Sequence, residues 1–150
     1  MIELKPVILR LQAAAKTDGA KLFRLVGGAI SYGAATKPGH ALGDGPNAYV
    51  LPVADMPSAP LADGGPQVVQ SEFMVQIFMR LHGDAAGFAK ETELLALEDQ
   101  VLKTLLGWRP APYLGRLGLS RAALSDFRDQ ELWWGMVFRT TYGLSPANLA

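Results

Sequence analysis

The chain has 150 residues, 49% of them hydrophobic and 19% charged, with 14 Lys/Arg against 14 Asp/Glu and no cysteine. This length and composition predict one globular domain with its own core, and the lack of cysteine excludes disulfides and thiolate metal sites. No apolar run approaches the roughly 18 residues of a membrane span, and the first residues lack a signal-peptide layout, so no membrane partner is expected.

The charges are balanced overall but uneven along the chain. Residues 1–53 carry six Lys/Arg against three Asp/Glu, residues 54–102 carry two against eight, and residues 103–150 carry six against three. One interpretation is that these charges balance within one fold. The other is that acidic and basic surfaces meet between subunits. This distribution of charge does not resemble the basic surface of a nucleic-acid-binding protein.

The first third of the chain predicts one helix and two strands. Apolar spacing favours a helix over residues 2–15. Residues 21–32 are typical of a strand weakened by a pair of glycines, and residues 33–46 are rich enough in Gly and Pro to predict a loop. Residues 48–53 are short, apolar and aromatic-led, which predicts a strand that reaches the core. Pro52 places an edge or a bulge in that strand.

A long turn-rich connection is expected over residues 54–67, which contain three prolines and two glycines. Connections of this length inside a compact domain are usually functional or disordered. Met56 and Leu61 are apolar residues within it. The segment is therefore either an arm that reaches a partner or a flexible surface loop.

Residues 68–81 alternate between apolar and polar side chains, which predicts a half-buried antiparallel strand. Its predicted inner face consists of Val69, Phe73, Val75, Ile77, Met79 and Leu81. Met74 and Phe78 interrupt the otherwise polar outer face, which indicates that this face is partly covered as well.

Residues 89–106 are typical of an amphipathic helix. Its apolar positions are Leu94, Leu95, Leu97, Val101, Leu102, Leu105 and Leu106. Glu91 and Asp99 are expected on its solvated side, and Gly107 is expected to end it. Trp108 is then expected to pack back onto the core.

The C-terminal third carries adjacent tryptophans in an extended run. Residues 120–124 are either a strand feeding a hairpin, with Asp129-Gln130 as the turn, or one helical turn capped by Ser120. The final strand is expected over 131–142, with a short tail from 143. Successive side chains of a strand point to opposite faces. Trp134 shares the more apolar face with Leu132, Met136 and Phe138, so it is expected in the core beneath the 89–106 helix. Trp133 is expected on the other face, covered by other elements or by the next subunit.

No catalytic set emerges from the sequence. His40 with Asp44 and His82 with Asp84 are isolated pairs in turn-rich segments. Because a metal or acid–base site needs convergent ligands, solvated turn residues are the favoured interpretation. We therefore expect no enzyme activity, no metal and no cofactor. A small enzyme using His40 or His82 is the alternative from a different functional class.

The order of the motifs resembles that of tail terminator (tail completion) proteins of long-tailed bacteriophages. The resemblance rests on an N-terminal helix, the strand Ala48–Ala54, a Gly/Pro-rich loop and the alternating strand Glu72–Leu81. It continues with the helix ending in Leu-Gly-Trp-Arg-Pro at 106–110, and closes with Glu-Leu-Trp-Trp at 131–134. It covers nearly the whole chain.

This resemblance implies an α+β fold, with a mixed, mainly antiparallel sheet flanked by helices in a single ring-forming domain over residues 1–150. It implies a structural virion protein, assembled in the host cytoplasm, that caps the tail tube and stops its growth. It implies a hexamer as homo-oligomer, with the tail tube protein and the head–tail connector as partners, and genomic DNA passing through the lumen unread. The alternative is another head–tail joining or minor tail protein of the neck.

Two sets of residues follow from these expectations. The subunit or partner interface is expected at Met56, Leu61, Glu91, Asp99, Arg116, Arg121, Arg128 and Trp133. In particular, acidic groups of residues 84–99 are expected to face these arginines on a neighbour. The core is expected at Phe73, Val75, Ile77, Leu94, Val101, Leu105, Trp108 and Trp134.

Overall fold

The computed structural model describes residues 1–38, 42–81 and 88–145, and within them a five-stranded sheet is flanked by three helices. In chain order the elements are α1 (Lys5–Ala13), β1 (Leu25–Gly27), α2 (Ala29–Ala35), β2 (Asn47–Pro57), β3 (Gln67–Arg80), α3 (Phe88–Leu105), β4 (Gly118–Arg128) and β5 (Glu131–Leu144).

The sheet has the strand order β1-β2-β3-β5-β4. Only β1 runs parallel to its neighbour, whereas the β2–β3, β3–β5 and β5–β4 pairs are antiparallel. This arrangement confirms the predicted mixed, mainly antiparallel sheet. The longest pairing joins β3 to β5 along their full length, so the two strands with the clearest sequence patterns form the centre of the sheet.

The main core lies between one face of the sheet and the helices α1 and α3. The predicted inner face of β3 is confirmed, because Phe73, Val75 and Ile77 are fully buried there, as are Val101 and Leu105 of α3. The prediction of a half-buried strand is wrong, because Glu72, Gln76 and Phe78 on the other face of β3 are buried as well. The remaining predicted core residues, Leu94, Trp108 and Trp134, are only partly buried at its margin.

Helix α3 confirms the predicted helix to within a residue at each end. Gly107 follows it with φ of 76°, a left-handed conformation that glycine adopts without a steric penalty. Two leucines of the predicted apolar stripe are nevertheless exposed, Leu95 by 59% and Leu106 by 54%. They face away from the sheet, because only one side of the helix contacts it.

The second face of the sheet is covered by α2. Tyr32 and Ala35 of this helix lie over Tyr49, Phe78 and Trp133, which together form a smaller aromatic core. The rings of Phe78 and Trp133 are 4.9 Å apart, and Tyr32 meets Trp133 edge-on at 5.7 Å. The partial cover predicted from Phe78 is therefore present.

The N-terminal half differs from the sequence prediction in one element. The strand expected over 21–32 is limited to Leu25–Gly27, and the chain then forms α2, so residues 33–35 are helical and not loop. At Gly27 an added Cβ would lie 2.6 Å from Ser31 Cβ. The glycine thus lets the chain reverse tightly from strand into helix, and α2 gains its stability from the aromatic surface beneath it.

The connection between β2 and β3 is shorter than predicted. Strand β2 continues to Pro57 and β3 begins at Gln67, so the loop spans only 58–66. The pairing of β2 with β3 shifts register between Pro52 and Ala54, and β1 pairs only with 47–49. The predicted edge or bulge at Pro52 is therefore confirmed.

The two C-terminal strands form a hairpin, which confirms the strand alternative for residues 120–124. Asp129 and Gln130 both have positive φ, 51° and 63°, as a two-residue turn between antiparallel strands requires. Strand β4 has register shifts at Ser120 and Ser125, so Ser120 lies in a bulge and not at a helix cap. Strand β5 extends to Leu144, so the tail expected from 143 begins later.

Candidate functional site

The first exposed apolar surface is the distal hairpin, which we define as residues 53–68. Met56 is 40% exposed, Leu61 53% and Val68 52%. The loop is held by backbone bonds, since Ser58 N–H donates to Val68 O at 2.8 Å and Gly64 N–H to Leu61 O at 3.1 Å. The distal hairpin thus presents apolar side chains on a hydrogen-bonded frame.

A second exposed apolar surface lies along β4, the strand at one edge of the sheet. Leu119, Leu124 and Phe127 are 38%, 53% and 55% exposed. Leu124 and Phe127 are register partners of Trp134 and Leu132, so they lie on the face of the sheet that carries α3. We call this surface the β4 ridge. It extends the core face of the sheet beyond the cover that α3 provides.

The opposite edge of the sheet is basic. Lys16, Lys21 and Arg24 are exposed in the segment that leads into β1, with Asp18 as the single carboxylate there. A cavity of about 330 Å³ lies between this segment and α3, lined among others by Leu22, Ala96, Leu97 and Gln100. We call it the β1 cleft. The cleft cannot be predicted from local sequence, because its two walls are about 75 residues apart in the chain.

An ion pair occupies the second face of the sheet, beyond the cover of α2. Arg139 Nε and Nη2 donate to Glu72 Oε1 at 3.1 and 2.8 Å, and Ser120 Oγ donates to the same oxygen at 3.1 Å. The Glu72 side chain is 6% exposed and that of Arg139 is 42% exposed. The Arg139 hydrogen bonds lower the pKa of Glu72 and outweigh its burial.

Two smaller electrostatic features accompany these surfaces. Burial raises the pKa of Tyr49, whose ring lies in the aromatic core beneath α2. Burial also opposes ionisation of Asp55 in the distal hairpin. Hydrogen bonds from the terminal ammonium of Met1 and from Ser71 Oγ outweigh that burial and lower the pKa of Asp55 overall. The Ser71 Oγ to Asp55 Oδ1 distance is 2.6 Å, so this carboxylate fixes the base of the hairpin.

Residues 1–148 match the family described as phage tail terminator protein. The chain belongs to this family. A solved chain from the virion of a native gene transfer agent particle is also similar, with 20% identity and a TM-score of 0.49 over 79% of this chain and 78% of the other. No curated protein matches. The family gives the chain a structural role in the phage tail and makes it a component of the virion.

The interface residues expected for this tail terminator family member are mostly exposed. Met56 and Leu61 lie on the distal hairpin, and Glu91, Asp99, Arg116, Arg121 and Arg128 all face solvent. Three of them already have partners in their own chain: Asp99 pairs with Lys103 at 2.6 Å, Arg128 lies 3.8 Å from Asp126, and Arg116 donates to Gly107 O. They are therefore not a set of unpaired charges awaiting a neighbour.

The assignment of Trp133 to a subunit interface needs correction. Its side chain is 8% exposed and lies beneath Tyr32 of α2, so elements of its own chain cover it. Trp134 lies on the α3 face, as predicted, but it is the less buried of the two. Its Nε1 is buried without a hydrogen-bond partner among the described residues.

Within residues 1–38, 42–81 and 88–145, no group of three or more His, Asp or Glu side chains is placed to hold a metal ion. None of the helices in the same ranges combines the length and apolar character needed to cross a bilayer. His40, His82 and Asp84 lie outside the described residues.

Proposed function

We propose that this protein caps the phage tail tube, stops further addition of tube subunits and offers a docking surface to the head connector. The observation that carries the proposal is the match to the tail terminator family over residues 1–148. It is supported by exposed apolar surfaces at separate places on the fold, the distal hairpin and the β4 ridge. A protein that meets several partners needs more than one such surface.

In this proposal the cap is a ring of identical subunits, with six as the expected number, and DNA passes through its lumen without being read. A ring requires a heterologous contact, in which two different surfaces of the same chain meet. The chain supports this requirement, because the edge strands of its sheet carry different surfaces: a basic segment at β1 and an apolar ridge at β4.

The distal hairpin is the surface we assign to the tail tube. Its apolar side chains, Met56 and Leu61 among them, surround a loop that the chain itself fixes by hydrogen bonds. An ordered loop loses less conformational entropy on binding than a flexible one. The hairpin is therefore suited to a stacked contact with a rigid tube end.

The test replaces Met56 and Leu61 with serine and measures binding to purified tail tubes by co-sedimentation. Because both side chains are exposed, we expect an unchanged melting temperature and at least about tenfold weaker tube binding. The matched control is Leu9→Ser on α1, where the native side chain is 52% exposed. Equal tube binding by the double variant and the control would contradict the assignment of the hairpin.

Capping itself is tested by negative-stain imaging of tubes mixed with the protein. A density on one end of each tube, with tube length no longer increasing when tube subunits are added, supports the terminator. Binding along the tube wall, or continued growth of capped tubes, would instead support the alternative of another head–tail joining or minor tail protein.

A further inference from the structure

We infer that the β4 ridge of one subunit seats in the β1 cleft of the next, and that this contact joins the copies of the ring. The inference rests on the proposed ring and names the two surfaces that build it. Its first support is position. Leu25, Asn47, Phe78, Trp133 and Asp126 are successive register partners across all five strands.

This row places the two surfaces at the same height on opposite edges of the sheet. Leu124 and Phe127 flank Asp126 at one end of the row, and the segment that lines the cleft leads directly into Leu25 at the other end. Both surfaces also lie on the face of the sheet that carries α3. A subunit can therefore meet the next by rotation about an axis, without a shift along it, as a closed ring requires.

The second support is the match of shape and polarity. The side chains of Leu124 and Phe127 are 53% and 55% exposed. The cleft, of about 330 Å³, has apolar walls from Leu22, Ala96 and Leu97. Seating an aromatic and an aliphatic side chain in such a cleft removes apolar surface from water on both subunits.

The test uses thiol crosslinking, because the chain contains no cysteine of its own. The Phe127→Cys and Ala96→Cys variants are treated with a short bis-maleimide, separately, mixed and combined in one chain. We expect dimers from the mixture, a ladder of covalent oligomers from the double variant, and no crosslinked product from either single variant. The matched control combines Ala96→Cys with Leu106→Cys, whose native side chain is 54% exposed on α3, and should give no ladder.

Dimers of Phe127→Cys alone would overturn the inference, since they require β4 edges to meet each other. An absent ladder, or an equal ladder from the control, would also overturn it.

Failure of this interface can be distinguished from failure of the proposed function. If the wild-type chain caps tubes but the cysteine pair gives no ladder, the proposed function stands and the proposed interface is refuted. If the cysteine pair gives the ladder but the wild-type chain leaves tube ends open, the interface stands and capping is refuted.

Discussion

Removal of the Arg139 side-chain charge tests the electrostatic account of the second sheet face. In an Arg139→Met variant the Glu72 carboxylate, which is 6% exposed, keeps only the Ser120 hydrogen bond. Breaking a fully buried pair costs roughly 3–5 kcal/mol and breaking an exposed one about 0–1. Because the Arg139 side chain is 42% exposed, we expect an intermediate loss of about 2 kcal/mol in the free energy of unfolding at pH 7.

The pH dependence of that loss has a defined sign. In the wild type the pKa of Glu72 is lowered from its ordinary 4.5. The pair therefore contributes stability above about pH 4.5 that is lost as pH falls through the folded-state pKa. In the variant the burial of Glu72 is opposed only by the Ser120 hydrogen bond and the charge of Arg121, so its pKa rises relative to the wild type. Protonation on acidification then relieves the cost, and the difference between wild type and variant shrinks as pH falls through the pKa of Glu72 in the variant.

Urea unfolding followed by tryptophan fluorescence at several pH values measures both quantities. A Glu72→Gln/Arg139→Met double variant serves as the control, because it removes both charges and should recover part of the loss. A loss below about 0.5 kcal/mol, of the size seen for ordinary surface substitutions, would refute the reasoning. So would a loss that stays constant with pH, since burial of an unpaired carboxylate would then not be its cause.

Three further predictions concern packing and turns. Trp133→Ala should cost about 3–5 kcal/mol in unfolding free energy, whereas Trp134→Phe should cost under about 1 because it also removes a buried, unpaired N–H; a larger loss at 134 would contradict the burial order. Gly135→Ala should cost about 1–3 kcal/mol, because its Cβ would lie 2.9 Å from Met74 Sδ, while the exposed helical control Gly33→Ala should stabilise by about 0.5–1 kcal/mol; equal melting temperatures would refute this. Replacing Asp129-Gln130 with Asn-Gly should raise the melting temperature by a few degrees, since both positions have positive φ; a lower melting temperature would count against the turn geometry.

The long periodic elements could be predicted from the sequence. Strand β3 turns its more apolar face to the main core and helix α3 buries one face, so their residues alternate or recur accordingly, as Phe73, Val75 and Ile77 show on the strand and Val101 and Leu105 on the helix. The hairpin turn at Asp129-Gln130 was also indicated, although neither residue is glycine. An element whose two faces differ strongly in polarity leaves a periodic pattern that a single sequence reveals.

Helix α2 could not be predicted, because its sequence is short, rich in small residues and preceded by two glycines. What holds it in place is an aromatic surface formed by β2, β3 and β5, which appears only after the sheet has formed. The same reasoning explains Trp133. Alternation correctly put the two tryptophans on opposite faces, but it did not identify the helix that covers Trp133.

The candidate surfaces also differ in whether the sequence alone predicts them. Met56 and Leu61 are recognisable as apolar residues in a turn-rich segment, so the distal hairpin was indicated by the sequence. The β1 cleft and the register row from Leu25 to Asp126 depend on the order of strands in the sheet. That order is a tertiary property, and nothing in the local sequence around Lys16 or Leu22 reports it.

The bulges at Ser120 and Ser125 affect how readily the unassembled chain aggregates. An open strand edge is a template onto which another strand can add, and fibrous aggregates grow from such edges. In β4 the paired positions are broken into runs of two, four and three by these two serines, so a foreign strand meets no long regular ladder. A protein proposed to end the growth of one polymer thus has an edge that discourages the start of another.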